Sequence, residues 1–205
     1  MPALTVLIAS TNPGKLFEIQ DILYDIPLLL ALPAHLGIHL SVEETGETYA
    51  ENAALKAKAY SQASGMIALA DDSGLEVAAL DNAPGLYSAR YAPLANATDA
   101  DRRRYLLENL RHLPRPWPAR FHCTCAICTP QGELRYFTGE VAGEIIPEER
   151  GSGGFGYDPV FYLPSYGLTM AELPEGEKNR ISHRALAVRA AIPYLLELIA
   201  ASEAD

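Results

Sequence analysis

The chain of 205 residues is 49% hydrophobic and 20% charged, enough for one well-buried core with no linker-like segment to divide it, so residues 1–205 read as a single domain. A net charge of −10 excludes broad, sequence-independent binding to nucleic acid, which needs many cations on phosphates, and no apolar run approaches the roughly 20 residues that a bilayer requires. The opening Met1-Pro2-Ala3-Leu4 has no basic leader and runs straight into an apolar stretch, which points to a cytoplasmic protein without a membrane partner.

The first element is a strand over Leu4 to Ala9, broken at Asn12-Pro13-Gly14 and followed by a helix carrying Leu16, Ile19 and Leu23 at helical spacing. In the turn Ser10-Thr11-Asn12-Pro13-Gly14-Lys15, free backbone N–H groups and the positive end of the helix dipole lie beside a lysine, which suits a phosphate. A capped helix with a solvated Lys15 fits the same residues, and the Walker A spacing is absent. A second helix runs from Thr48 to Ser64, with Thr48 and Glu51 as a capping box and Ala53, Ala54, Ala57 and Tyr60 as its apolar stripe. Ahead of it, Glu43-Glu44-Thr45-Gly46 is either a solvated acidic loop or a carboxylate donor to a magnesium ion shared with the next strand, and Lys56 is either solvated or a phosphate partner.

That next strand is Met66 to Ala70, expected to end at Asp71-Asp72-Ser73-Gly74, where an α/β enzyme places its chemistry. Alternation sends the two acids to opposite faces, and Asp72 is assigned to the cleft, Asp71 to structure; the competing reading is a polar turn whose side chains bond their own backbone. A helix beginning near Thr98, capped with Asp101, turns Tyr105, Leu106 and Leu110 inward and stops before Pro114, Pro116 and Pro118. Ala119 to Cys128 and Leu134 to Ile146 form a hairpin about Pro130-Gln131-Gly132-Glu133. Cys123, Cys125 and Cys128 read as reduced strand cysteines, since no second pair of ligands lies at zinc spacing.

The segment Gly151 to Asp158 contains Gly-x-Gly-x-x-Gly, but Asp158-Pro159-Val160 continues as extended chain, which excludes a dinucleotide fingerprint. Glycines around Phe155 admit a flat ligand against its ring; a buried anchoring Phe in a flexible loop is the alternative. A last helix starts at Ser182 and carries Leu186, Ile192, Leu195 and Ile199, with Pro193 as a candidate kink. Lys178, Arg180, His183 and Arg184 crowd its start, where the dipole disfavours cations, so an anionic or electron-rich ligand is expected, with a donor such as Arg184 facing the 6-oxo group of a purine. Together the elements give an α/β fold with a mixed sheet.

In order and spacing, Ser10-x-Asn12-x-x-Lys15, Glu43-Glu44-Thr45-Gly46, Glu51-Asn52-Ala53, Ala70-Asp71-Asp72-Ser73-Gly74-Leu75, Pro84-Gly85-x-Tyr87-Ser88-Ala89-Arg90-Tyr91, Gly153 to Pro159, Thr169 to Leu173 and Lys178-Asn179-x-x-Ser182-His183-Arg184 resemble the inosine/xanthosine triphosphate pyrophosphatase family. Its members hydrolyse non-standard purine nucleoside triphosphates. The resemblance covers nearly the whole chain. It implies an elongated mixed β-sheet flanked by helices, two lobes around a central substrate cleft, and a homodimer.

The resemblance further implies that Ser10, Thr11, Asn12, Pro13, Gly14 and Lys15 hold the triphosphate, that Glu44 and Asp72 bind Mg2+, and that Asp72 activates the attacking water with Ser73 contacting substrate beside it. Phe155, Gly156, Tyr157 and Asp158 then hold the base, and Lys178, His183 and Arg184 complete base and phosphate recognition. Thr11 stands where this family often has glycine, and a β-branched residue restricts the turn. Water attack on the α-phosphorus of ITP, dITP or XTP yields a monophosphate and pyrophosphate, with Lys15 and Lys56 spreading the developing charge. Two other readings keep part of this pattern: a purine-nucleotide sensor that does not need Asp72, and a metal-dependent phosphomonoesterase that releases orthophosphate.

Overall fold

A computed structural model of the chain describes residues 4–204. Seven strands form one sheet: β1 (Thr5–Ile8), β2 (Leu29–Ala31), β3 (Ile67–Val77), β4 (Trp117–Cys128), β5 (Leu134–Ile145), β6 (Phe161–Leu163) and β7 (Leu168–Thr169), in the order β2-β1-β3-β4-β5-β6-β7. Parallel pairing of β1 with β2 and β3, and antiparallel pairing of β6 with β5 and β7, make it the expected mixed sheet. The helices are α1 (Pro13–Ile22), α2 (Tyr49–Ser64), α3 (Asp99–Leu110), α4 (Glu175–Ile181) and α5 (His183–Ala204). The chain gathers into two compact units, one holding the stretch up to Asp72, Cys123–Gly139 and the segment from His183, the other holding Ser73–His122 and Glu140–Ser182.

In the first unit strand alternation sorts the core into two layers. Val6, Ile8, Ile67, Leu69, Cys123 and Cys125 pack on Ile19 of α1 and on Val188 and Leu195 of α5. Their neighbours Leu7, Ala9, Ala68, Ala70, Ala126 and Cys128 pack on Ala53, Ala57 and Tyr60 of α2. Helices on both faces are why these strands read as unbroken apolar runs. The cysteines are buried free thiols, split between the two faces as alternation requires.

The helix caps follow the sequence closely. Asn12 caps α1 with Pro13 in its first turn, Thr48 and Glu51 form the capping box of α2, and Thr98 and Asp101 form that of α3. α2 ends at Gly65 in the left-handed conformation, φ 67°. In the second unit Leu106 and Leu110 of α3 join Leu75, Val77, Trp117, Phe121 and Phe161 in a core of their own, where the rings of Phe121 and Phe161 lie 4.4 Å apart.

Three expectations change. β3 does not stop at Ala70 but runs on to Val77, so Asp71 and Asp72 lie in mid-strand and Ser73-Gly74 is no turn; Leu75 and Val77 are fully buried and carry the strand onward. The last helix begins at His183, next to the expected Ser182, but an unexpected helix α4 precedes it with Ser182 extended between the two, so Lys178 and Arg180 occupy the last turn of α4, where the dipole favours cations. Finally, α5 over His183–Glu203 is long and apolar enough by composition to cross a bilayer. Its Ala185, Ala187, Val188, Ala191 and Leu195 instead belong to the first unit's core.

Candidate active site

In the first unit β1 passes into α1 through Ser10, Thr11 and Asn12. The Asn12 side-chain oxygen accepts from the backbone N–H of Gly14 at 2.9 Å and of Lys15 at 3.2 Å, while the Asn12 N–H reaches Ser10 Oγ at 3.2 Å. The expected row of free N–H groups is therefore corrected: the turn satisfies these donors itself, and Pro13 has none to offer. Thr11, Asn12 and Pro13 are exposed. Ser10 and Thr11 also border a cavity of about 440 Å³ whose walls include Leu16, Leu32, Ile38 and Leu40.

Lys15 turns back toward the sheet, its Nζ 2.9 Å from Asp71 Oδ2. The same oxygen accepts from Arg184 Nε at 3.2 Å, and the Arg184 guanidinium also pairs with Glu18 of α1. Burial opposes ionisation of Asp71, but Lys15, Arg184 and Lys56 outweigh it and hold the carboxyl well below the usual range. Burial likewise opposes the charge on Arg184, and Asp71 and Glu18 more than restore it. Arg184, expected to face a purine, is thus 2% exposed with its guanidinium committed to two carboxylates. His183, beside it at the start of α5, is also buried.

Asp72 points to the other face, toward α2. Its Oδ2 accepts from Asn52 Nδ2 at 3.2 Å, and its Oδ1 lies 3.3 Å from Lys56 Nζ. The same ammonium is 2.5 Å from Glu44 Oε1. Burial pushes the Asp72 carboxyl up, and Lys56 and Lys15 do not cancel that effect because Glu44 and Asp71 add like charge. For Lys56 burial works downward, yet Asp72, Asp71 and Glu44 together raise its pKa. The lysine is well supplied with anions while Asp72 is short of cations. Among the described residues no three His, Cys, Asp or Glu side chains converge as a complete metal cage, and the pair meeting on Lys56 is Glu44 with Asp72.

The second unit holds the aromatic loop. Asp158 Oδ2 accepts from the Phe155 N–H at 2.9 Å and from Lys178 Nζ at 2.7 Å, and that ammonium stands 4.9 Å from the centre of the Phe155 ring. Gly156 is clamped by α3: its N–H donates to Asp99 at 2.7 Å and its carbonyl accepts from Arg103 at 2.8 Å. Tyr157 is buried and donates to the Ser88 carbonyl at 2.9 Å. The expected extended chain at Asp158-Pro159-Val160 is corrected to a short 3-10 helix, with β6 following from Phe161; the long helix that a dinucleotide fingerprint would open is still missing. Ser73, the first residue of this unit, is half-buried.

The structure therefore gathers Lys15, Glu44, Lys56, Asp72, His183 and Arg184 in the first unit, and Phe155, Gly156, Tyr157, Asp158 and Lys178 in the second. Sequence reasoning gave no role to Glu18, Asn52, Asp99 or Arg103. Glu18 had a signal, an acid on the apolar face of α1 beside Ile19 and Ile22, since buried carboxylates are paired. Asp99 and Arg103 stand four apart on one helix face, but their target, Gly156, is distant in sequence.

The model of the Ham1 family matches residues 6–194. A dITP/XTP pyrophosphatase of Listeria monocytogenes is 47% identical over 195 residues, spanning 95% of this chain and 96% of the relative. A HAM1 protein from Coxiella burnetii superimposes with a TM-score of 0.86 at 43% identity, covering 95% of this chain and 99% of that one. The Staphylococcus aureus Ham1 protein gives 0.83 at 40% identity with the same coverage. With the match running from β1 into α5 and the fold shared along nearly its full length, the chain belongs to the Ham1 family.

Proposed function

We propose that this protein hydrolyses non-standard purine nucleoside triphosphates, ITP, dITP and XTP, to the monophosphate and pyrophosphate, clearing them from the nucleotide pool. The observation that carries the reading is Asp72, a buried carboxylate whose proton affinity is raised and which shares Lys56 with Glu44. Raised proton affinity favours a carboxylate as acceptor of the proton that the attacking water gives up. The pyrophosphatase name of the relatives, 47% identical in the Listeria case, supports the substrate class.

In this reading a water oxygen bonds to the α-phosphorus, the α–β bridging P–O bond breaks, and pyrophosphate leaves with the bond's electron pair. Asp72 takes the water proton, while Lys15 and Lys56 sit where negative charge grows. Ser10 to Lys15 hold phosphates and Ser73 contacts substrate. Phe155 to Asp158, with Lys178, hold the base, and His183 and Arg184 complete recognition, Arg184 by fixing Asp71 and, through it, Lys15. Glu44 and Asp72, whose hard carboxylate oxygens both lie against Lys56, would hold Mg2+, with water and substrate phosphate supplying the remaining ligands. Bound there, it would neutralise phosphate charge and polarise the α-phosphoryl group. A homodimer in the cytoplasm completes the proposal, supported by the family resemblance.

The test is product analysis with purified protein and Mg2+. ITP, dITP and XTP are expected to give monophosphate and pyrophosphate far faster than ATP does. Orthophosphate as the first product, or equal rates on ATP, would overturn the reading.

A further inference from the structure

Asn52 lies on α2 among the buried alanines Ala53, Ala54 and Ala57, and is itself 1% exposed. A buried side-chain amide is unfavourable unless both its ends find partners. Its Oδ1 accepts from the Gly46 N–H at 2.8 Å, and its Nδ2 donates to Asp72 Oδ2 at 3.2 Å. Gly46 is two residues from Glu44. A Cβ on Gly46 would stand 2.6 Å from the Glu51 Cβ and 2.8 Å from Asn52 Oδ1, so the absence of a side chain is what lets the backbone reach the amide.

The loop is pinned at three successive donors. Gly46 N–H goes to Asn52, while the N–H groups of Glu47 and Thr48 both go to Glu51 Oε2, at 2.6 and 3.1 Å. The capping box fixes the loop to the helix end, but Asn52 alone of these residues also bonds an acid of β3. One amide thus spans from the segment bearing Glu44 to Asp72. Aspartate would offer no donor to Asp72, and leucine of similar size would offer neither bond.

We propose that Asn52 is a positioning residue that holds the Glu44 loop and Asp72 at the separation a divalent cation requires. The inference rests on the reading of Glu44 and Asp72 as metal donors. Residues that orient metal ligands typically contribute about 10–100-fold in metal affinity or activity when removed.

The experiment titrates nucleotide-free protein with Mn2+, followed by electron paramagnetic resonance, in the wild type and in Asn52→Leu. The variant is expected to bind Mn2+ about 10–100-fold more weakly, with kcat on ITP falling more than KM changes. Unaltered Mn2+ affinity and kcat in the folded variant would overturn the role. A second measurement needs no variant: in protein labelled with 15N-asparagine, the Asn52 side-chain NH2 resonance shifts as Mg2+ is added, and an unmoved resonance at saturating Mg2+ refutes the proposal. If the wild type binds Mn2+ but releases no pyrophosphate from ITP, the functional reading fails while the metal titration still decides the role of Asn52.

Discussion

At Asp71 burial alone would drive the carboxyl toward its neutral form, yet Lys15 and Arg184 on α1 and α5 reverse the balance. One residue on, Asp72 is also desolvated, but it shares Lys56 with Glu44, and the balance stays tipped toward the proton. A depressed folded-state pKa contributes stability above the unfolded value, about 3.9, and loses it as pH falls toward the folded value. Asp71→Asn is therefore expected to lower the unfolding free energy at pH 7 by about 3–5 kcal/mol, because it leaves a buried ion partner short. In denaturant titrations that difference stays constant down to about pH 4 and shrinks below it; a difference that grows on acidification would refute the assignment. For Asp72 the sign reverses. Its raised folded-state pKa means that ionisation at neutral pH works against the fold, so Asp72→Asn is expected to unfold no earlier than wild type in metal-free buffer. Its turnover on ITP should nevertheless fall by about 10²–10⁴-fold. A variant that keeps its rate removes Asp72 from proton transfer.

Elements place these residues by simple periodicities. Asn52 and Lys56 are four apart on α2, so one face of the helix carries both groups that reach Asp72. The elements themselves were legible where caps and apolar spacing agreed, as at Asn12, Thr48 and Thr98. The continuation of β3 was not read from the sequence, because Ser73-Gly74 carries turn chemistry. What overrides it is tertiary: Leu75 and Val77 bury their side chains, and the Leu75 N–H bonds Ser88 Oγ at 2.9 Å. The alternation Leu75-Glu76-Val77 was the available signal. α4 was missed because seven residues show too little periodicity to stand apart from the helix that follows. In the aromatic loop Gly154 has φ +68°, and a Cβ there would lie 2.1 Å from Asp158 Oδ2 and 2.8 Å from Lys178 Nζ. Gly154→Ala is expected to dislodge the carboxylate that holds Phe155, reducing kcat/KM for ITP by about 100-fold, the scale of an ångström's misplacement. An unchanged ITP-to-ATP preference in that variant would separate the loop from base selection.

Across the whole molecule, α/β class and mixed pairing followed from strand and helix order, since a strand-turn-helix start favours parallel partners and the hairpin read about Pro130-Gln131-Gly132-Glu133 sets β4 beside β5. The site was legible as residue types, less so as partnerships. Composition cannot reveal that Arg184 closes on Glu18, 166 positions away, or that Asn12 bonds its own turn. Lys56 between Glu44 and Asp72 has a global corollary. These acids are partly neutralised by the protein's own ammonium, so chelation with EDTA is expected to abolish turnover on ITP while leaving the circular dichroism spectrum and cooperative unfolding intact. Loss of folded signal on chelation would show that the ion is structural.

Because β3 carries its acids through an unbroken stretch, their division of labour is a matter of parity. Removing a single residue between Ile67 and Ala70 would rotate everything beyond it by half a turn about the strand. The side chain now beside Asn52 would then confront Arg184, and the anchor of Lys15 would be turned toward α2. Point substitution can tune either acid separately, whereas a frame change in this stretch exchanges their environments at one stroke.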